Sequence, residues 1–379
     1  MRSRIFFSLF SLIPACLMAG TINIAPHSKV TASTSKNNKF QPSNLTDGII
    51  SVDGMGEWAC EGVTTSWGYI RFPWARLEWD KTQTIKRIIL YDRPSEEEHA
   101  ATVKIHFSDG TFLWMNQIPN DGTARRIDFP AKKTKWIKLE VTDGTGKDVG
   151  FSEVEVYAEQ GADTDPVNWV DPYIETNRGR DFFFITGSRP FGMLTSAPMT
   201  RNKNQGGGAY NYNENEILGF EQIHDWMIAG LEIMPASANA DPIMGHKGWK
   251  SKFSHDDELV EPGYHRVFLR DPKIWVEQTS TERVGLYRFR FTEKMKAQII
   301  TNLGGFVISN RMTNAEIKKV SDTEFEGSFS TVDRFWGGPK DVRIFFSVRF
   351  DKPFQQLSGW NGNKKTKDIE QHKGENDGV

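Results

Sequence analysis

The densest group of ionisable side chains in the sequence is Asp256, Asp257, Glu258 and Glu261. Paired carboxyls can do acid–base work if one stays protonated while the other takes a proton. Neighbouring residues of an extended chain point to opposite faces, and a solvated turn shifts a carboxyl pKa little. These four residues are therefore read as a surface turn. Carboxylates are also hard oxygen ligands, but their spacing fits no calcium-loop pattern. His255, just before them, is read as part of a strand end. A second group is His224-Asp225-Trp226. A ring nitrogen and a carboxylate that can hold hydroxyl groups stand there beside an aromatic face. The alternative is a hydrogen-bonded cluster between domains. A third group, Arg178, Arg180 and Asp181, offers a guanidinium pair able to grip an anion in bidentate fashion. The alternative there is ion pairing that holds a loop.

Composition narrows the partners. The formal net charge of −2 over 379 residues argues against a nucleic-acid binder, which needs a basic patch or balance. Hydrophobic content of 38% supports a packed core. Only Cys16 and Cys60 are present, so neither an internal disulfide nor a cysteine metal site is expected after leader cleavage. Cys60 is read as a small buried hydrophobe. Residues 1–19 read as a signal segment, with Arg2 and Arg4 before an apolar run from Ile5 to Met18 too short to span a bilayer. Leu17-Met18-Ala19 resembles a signal-peptidase site and Leu12 to Cys16 a lipoprotein box. The expected location is thus secreted, periplasmic or cell-surface, with a lipid anchor at Cys16 in the second case.

The elements that must position these groups read as all-β. In the first half, strands are expected at Ile85 to Tyr91, Thr102 to Phe107, Thr111 to Met115, Trp136 to Val141 and Val154 to Tyr157. Turns are expected at Asp109-Gly110, Asp121-Gly122 and Asp143-Gly144. Residues 22–159 are read as one sandwich and 160–166 as a linker. Residues 167–379 are read as a second, larger β-domain, incomplete at its C-terminal end. Its strand candidates are Tyr264 to Leu269, Ile274 to Thr279, Gly285 to Phe291, Lys296 to Asn302, Glu324 to Ser330 and Val342 to Phe350. In Tyr287-Arg288-Phe289-Arg290-Phe291 the aromatics and the arginines alternate, as in a half-solvated strand. Asn177 to Asp257 is read as a long functional loop, and Gly359 to Val379 as a tail without strands.

Two resemblances follow from short motifs in order. Ser43-Asn44-Leu45-Thr46-Asp47-Gly48, then Ala75-Arg76-Leu77-Glu78-Trp79, then Phe151-Ser152-Glu153-Val154-Glu155-Val156-Tyr157 resemble a discoidin-type, galactose-binding-like module. The resemblance implies a jelly-roll sandwich with a sugar site on loops at one end. Trp58, Trp67, Tyr69 and Trp74 are candidate platforms there, with Arg71 and Arg76 as hydrogen-bond donors. Val170-Asp171-Pro172-Tyr173-Ile174, Pro190-Phe191-Gly192-Met193, Tyr210-Asn211-Tyr212, Ile217-Leu218-Gly219-Phe220, Phe253 to Glu258 and Glu261-Pro262-Gly263-Tyr264 resemble the N-terminal β-domain of glycoside hydrolase family 92. That resemblance implies a calcium-dependent exo-α-mannosidase acting with inversion. The family's acid, base and calcium ligands lie mainly in an (α/α)6 toroid absent from these 379 residues. Gln222-Ile223-His224 stands where the family has His-Thr-His, so His224 keeps a family position expected near the sugar; Asp225 beside it is read as a hydroxyl acceptor and Trp226 as a stacking face, with Tyr210 and Tyr212 as further contacts. Glu175 to Phe184 departs from the family's glycine- and histidine-rich run, so Arg178, Arg180 and Asp181 are read as altering which sugar is bound. The chain alone is expected to bind carbohydrate without hydrolysing it. The alternative is a secreted carbohydrate-binding protein with no catalytic ancestry in use.

Overall fold

The computed structural model describes residues 21–52, 54, 56–61, 72–159, 167, 170–178, 185–188, 192–200, 209–225, 228–291, 296–307, 310–332, 341–374 and 377–378. The expected signal segment, with Cys16, lies outside the described residues. Trp67, Tyr69, Arg71, Arg180, Asp181 and Trp226 lie outside them too. Among the described residues no helix is long and apolar enough to cross a membrane.

The first unit is built on eight antiparallel strands: Thr21–Asn23 (β1), Lys29–Ala32 (β2), Trp58–Ala59 (β3), Trp74–Asp92 (β4), His99–Phe107 (β5), Phe112–Asn116 (β6), Ala124–Thr145 (β7) and Gly150–Glu159 (β8). β4 and β7 pair along most of their length, with a register shift between Glu78 and Gln83. Before that shift β4 pairs with β2, and the facing part of β7 continues to β5 and β6. Beyond it β4 pairs with β8, which carries β1. Both halves turn one face into a shared core. Leu77, Val103, Ile105 and Ile137 come from one half, and Ile88, Leu90, Val154 and Val156 from the other. Each such side chain contributes about 1.5–3 kcal/mol when fully buried. Cys60 is buried in this core as expected, and burial pushes its thiol up to about 11. Trp58 is in the core as well, which corrects its reading as a sugar platform. Its ring fills the space beside Phe151, and its N–H donates to the Thr34 carbonyl.

Asp109-Gly110 and Asp121-Gly122 turn the chain, with positive φ at both glycines. Asp143-Gly144 does not: it lies inside β7, where Gly144 faces Ala100. Glycine is required there for closeness rather than for a turn, since a Cβ would sit 2.1 Å from the His99 carbonyl oxygen. Gly144→Ala must push β5 from β7 and is expected to cost about 1–3 kcal/mol of first-unit stability. Urea unfolding checks this, and an unchanged midpoint would refute the close-approach reading.

The second unit contains Ala197–Met199 (β9), Glu216–Ile217 (β10), Gly219–Asp225 (β11), Ile228–Ser237 (β12), Ser251–Lys252 (β13), Glu258–Glu261 (β14), Tyr264–Leu269 (β15), Ile274–Ser280 (β16), Gly285–Arg290 (β17), Ala297–Asn302 (β18), Gly305–Val307 (β19), Asn310–Ser321 (β20), Glu324–Val332 (β21) and Val342–Arg349 (β22). Short strands follow at Gly359–Asn361, Lys364–Thr366, Gln371–Gly374 and Asp377–Gly378. β14 to β17 form one antiparallel sheet and β19 to β22 another, while a third runs β9-β11-β12-β18 and on to the C-terminal strands. The aromatics of β17 pack on the core and its arginines Arg288 and Arg290 face Glu277, as the alternation predicts.

The units meet along a buried seam. The outer face of β4, β7 and β8 offers Ile89, Tyr91, Ala124 and Tyr157, which pack with Phe268 and Trp275 of the second unit. Arg266 of β15 donates to Glu155 (2.6 Å) and to the Tyr91 hydroxyl (2.9 Å). The Ala124 N–H donates to Asp257, whose other oxygen accepts from Arg270.

Candidate functional site

Glu258 opens β14 directly after the short 3₁₀ turn His255–Asp257, which the Ser254 side chain caps through the Asp256 N–H. This arrangement corrects the surface-turn reading for Asp257 and Glu258, while Asp256 and Glu261 are exposed. Asp257 is buried in the seam, and Glu258 has a fully buried side chain. Burial of a carboxylate is tolerable only where donors replace water, and here four do. Oε2 accepts from Tyr210 (2.8 Å), His255 Nδ1 (2.7 Å) and Tyr173 (3.3 Å), and Oε1 accepts from His265 Nε2 (2.9 Å). His265 in turn accepts at Nδ1 from Gln278 (2.8 Å), so this ring donates to Glu258 from Nε2 alone. Burial on its own would raise the Glu258 pKa. The hydrogen bonds from His255 and His265, with the charge on His255, outweigh it and hold the group down at about 2. Burial also works against a charged His255, yet Glu258 and the Tyr212 carbonyl on its other nitrogen (2.7 Å) raise its pKa. Tyr173 and Tyr210 are pushed up, by burial first and by Glu258 second, and stay neutral donors.

The Glu258 hub gathers three loops. The Tyr212 ring stacks flat on His255 at 3.9 Å, and the Tyr173 ring meets the Tyr212 ring edge-on. The Tyr212 N–H donates to the Thr176 carbonyl, and the side-chain amides of Asn211 and Asn213 both donate to the Asn177 carbonyl. Residues 173–178 are thereby tied to residues 210–213, and both to His255. Tyr210 is buried, so its expected contact with a ligand is corrected: its hydroxyl is spent on Glu258. Tyr212 is 40% exposed and keeps an aromatic edge toward solvent. The backbone of Arg178 closes the 3₁₀ turn Thr176–Arg178, right where the 173–178 segment is fastened. His224 and Asp225 stand at the end of β11, opposite Ala229 and Ile228.

Sequence reading missed His265 and Tyr173 as partners of Glu258. Tyr264-His265-Arg266 reads as plain strand, and only the sheet register sets His265 over Glu258. It also missed Glu232. This buried carboxylate of β12 accepts from His246 (2.9 Å) and Asn302 (2.8 Å), and it stands opposite Glu221. Gly219 makes room for it, because a Cβ there would lie 2.1 Å from its Oε1.

The model of the glycosyl hydrolase family 92 N-terminal domain matches residues 169–379. The chain belongs to glycosyl hydrolase family 92. A domain of unknown function matches residues 23–157. Among solved structures, the chain is similar to a family 92 α-mannosidase from Bacteroides thetaiotaomicron in complex with mannoimidazole. The TM-score is 0.50 at 19% identity, over 57% of this chain and 30% of that one. An inverting family 92 mannosidase of the same organism gives 0.48 at 19%, over 58% and 29%. A family 32 carbohydrate-binding module from Clostridium perfringens, in complex with galactose, gives 0.30 at 16%, over 36% and 98%. The chain thus spans under a third of the family 92 structures it matches. No curated protein matches it.

Among the described residues no group of three or more His, Cys, Asp or Glu side chains converges as metal ligands do. The hub carboxylate does not fit calcium either, since N–H and O–H donors occupy both its oxygens. No step involving calcium is assigned to these residues.

Proposed function

We propose that this chain is the substrate-facing front portion of a secreted, calcium-dependent exo-α-mannosidase of family 92 that hydrolyses α-mannosides with inversion. It supplies carbohydrate-binding loops and not the acid–base pair. The observation that carries this reading is the chemistry of Glu258. Inversion needs two carboxyls about 6.5–9.5 Å apart, one protonated and one free to take a proton from water. Glu258 is held ionised with both oxygens engaged, so it serves neither role. It fixes the loops at 173–178 and 210–213, which reach solvent at Tyr212 and lead into Arg178, Arg180 and Asp181. Those three, with His224, Asp225 and Trp226, are proposed to contact the sugar. Calcium in the whole enzyme is then held by residues beyond those described.

The purified 379-residue chain is expected to show no turnover of an aryl α-mannoside, with or without calcium. It is also expected to bind mannobiose, seen as quenching of tryptophan fluorescence. Chelator-sensitive hydrolysis by this chain would sink the division of labour. A flat mannobiose titration would sink the binding role.

A further inference from the structure

The first unit has two outer sheet faces. The seam covers one of them. The other, made by β6, β5, the last part of β7 and the first part of β4, faces solvent. Strand alternation sends Val103, Ile105, Leu139 and Leu77 inward. It leaves two rows of side chains outside. Trp114, Lys104, Glu140 and Trp74 stand side by side in one, and Phe112, His106, Lys138 and Arg76 in the next.

Phe112 and Trp114 are each 48% exposed and meet edge to face at 6.2 Å. Half-exposed adjacent aromatics on a soluble face mark a contact surface. The charges around them are mostly committed. Lys138 and His106 both reach Glu140, and Arg76 reaches Glu78. Lys104 is different: its ammonium lies 4.0 Å from the Phe112 ring centre and 5.6 Å from that of Trp114, and among the described residues no carboxylate pairs with it. An aromatic plane beside one uncommitted cation suits a sugar ring bearing an anion. The apolar C–H face stacks on Trp114, the anion meets Lys104, and Glu140 and His106 are at hand for hydroxyls. A lipid surface or a nucleic acid would need several free cations, whereas the neighbouring cations of this face are already held by Glu140 and Glu78.

We infer that this open sheet face is a binding site for an acidic glycan, one carrying carboxylate or sulfate groups, separate from the family 92 loops. The inference does not depend on the mannoside reading. Calorimetric titration of the 379-residue chain with oligogalacturonate, sulfated galactan oligosaccharide and neutral galactan oligosaccharide tests it. At least one acidic probe is expected to bind more tightly than the neutral one, and to weaken as salt rises. The preferred acidic probe tells carboxylate from sulfate. Trp114→Ala should weaken binding about tenfold. Lys104→Met should abolish the preference for the acidic probe. Both side chains are half-solvated or on an open face, so circular dichroism should match wild type, and mannobiose quenching should not change. No binding of either acidic probe, equal binding of the neutral one, or unchanged binding by both variants would overturn the assignment.

Discussion

Replacing Glu258 by alanine is expected to cost about 3–5 kcal/mol, because it leaves His255, His265 and two tyrosine hydroxyls buried around a lost carboxylate. Glu258→Gln should cost less but still destabilise, since one acceptor oxygen becomes an N–H₂ facing donors. The pH dependence gives a second reading of the same hub. Glu258 titrates at about 2 in the fold against an ordinary 4.5. Its contribution, about 3 kcal/mol at most by linkage, is present above pH 4.5 and is lost as pH falls toward 2. His255 is raised above its ordinary 6.5. Its contribution is present below that value and is lost as pH rises through the folded pKa. The stability difference between wild type and Glu258→Gln should therefore be largest between about pH 4.5 and 6.5. It should shrink on both sides. Urea unfolding at pH 3, 5.5 and 8.5 measures it, and a difference that stays flat across that range would dismiss the hub as the source.

Much of the fold was readable where strands have one wet face. In β17, Tyr287 and Phe289 pack inward and Arg288 points out, and period-two alternation reveals both side and element. β11 and β12 were hidden in the expected loop from Asn177 to Asp257, because their described side chains are almost all buried and a strand covered on both faces shows no alternation. β20 was missed for another reason. A register shift between Thr313 and Glu316, with Asn314 at positive φ, breaks the pattern, so that Met312, Ala315 and Ile317 point inward out of phase. The tail strands at 359–361, 364–366, 371–374 and 377–378 are too short for any period. For the site, sequence supplied Tyr210, Tyr212 and the His255–Glu258 motif. It did not supply their roles, which depend on burial. Asp256, Asp257 and Glu258 look alike in sequence. In the fold Asp257 meets Arg270 in the seam, and Glu258 meets two imidazoles.

The seam should make the two units unfold together, and Arg266→Ala should separate them. Arg266 is the cation buried against Glu155, and its guanidinium also lies over the rings of Tyr91 and Trp275 at 5.7 and 5.4 Å. Burial disfavours its charge, but Glu155 outweighs that and raises its pKa further, so Arg266 stays charged. Removing the arginine leaves the buried Glu155 with the Tyr157 hydroxyl (3.0 Å) but without its cation, beside the apolar cluster of Tyr91, Tyr157 and Trp275, at a cost of about 3–5 kcal/mol. Calorimetry should show one transition for wild type and two for Arg266→Ala, the domains melting at their own temperatures. A loss confined to pairing has a further signature. The double variant Arg266→Met with Glu155→Leu removes both charges and keeps apolar bulk in the seam, so it should recover most of the loss and restore the single transition. If Arg266→Ala keeps one transition at the wild-type temperature, the ion pair does not couple the units. If the double variant is as weak as the single one, the seam depends on the hydrogen bonds of Arg266 to Glu155 and Tyr91 rather than on the penalty of an unpaired charge.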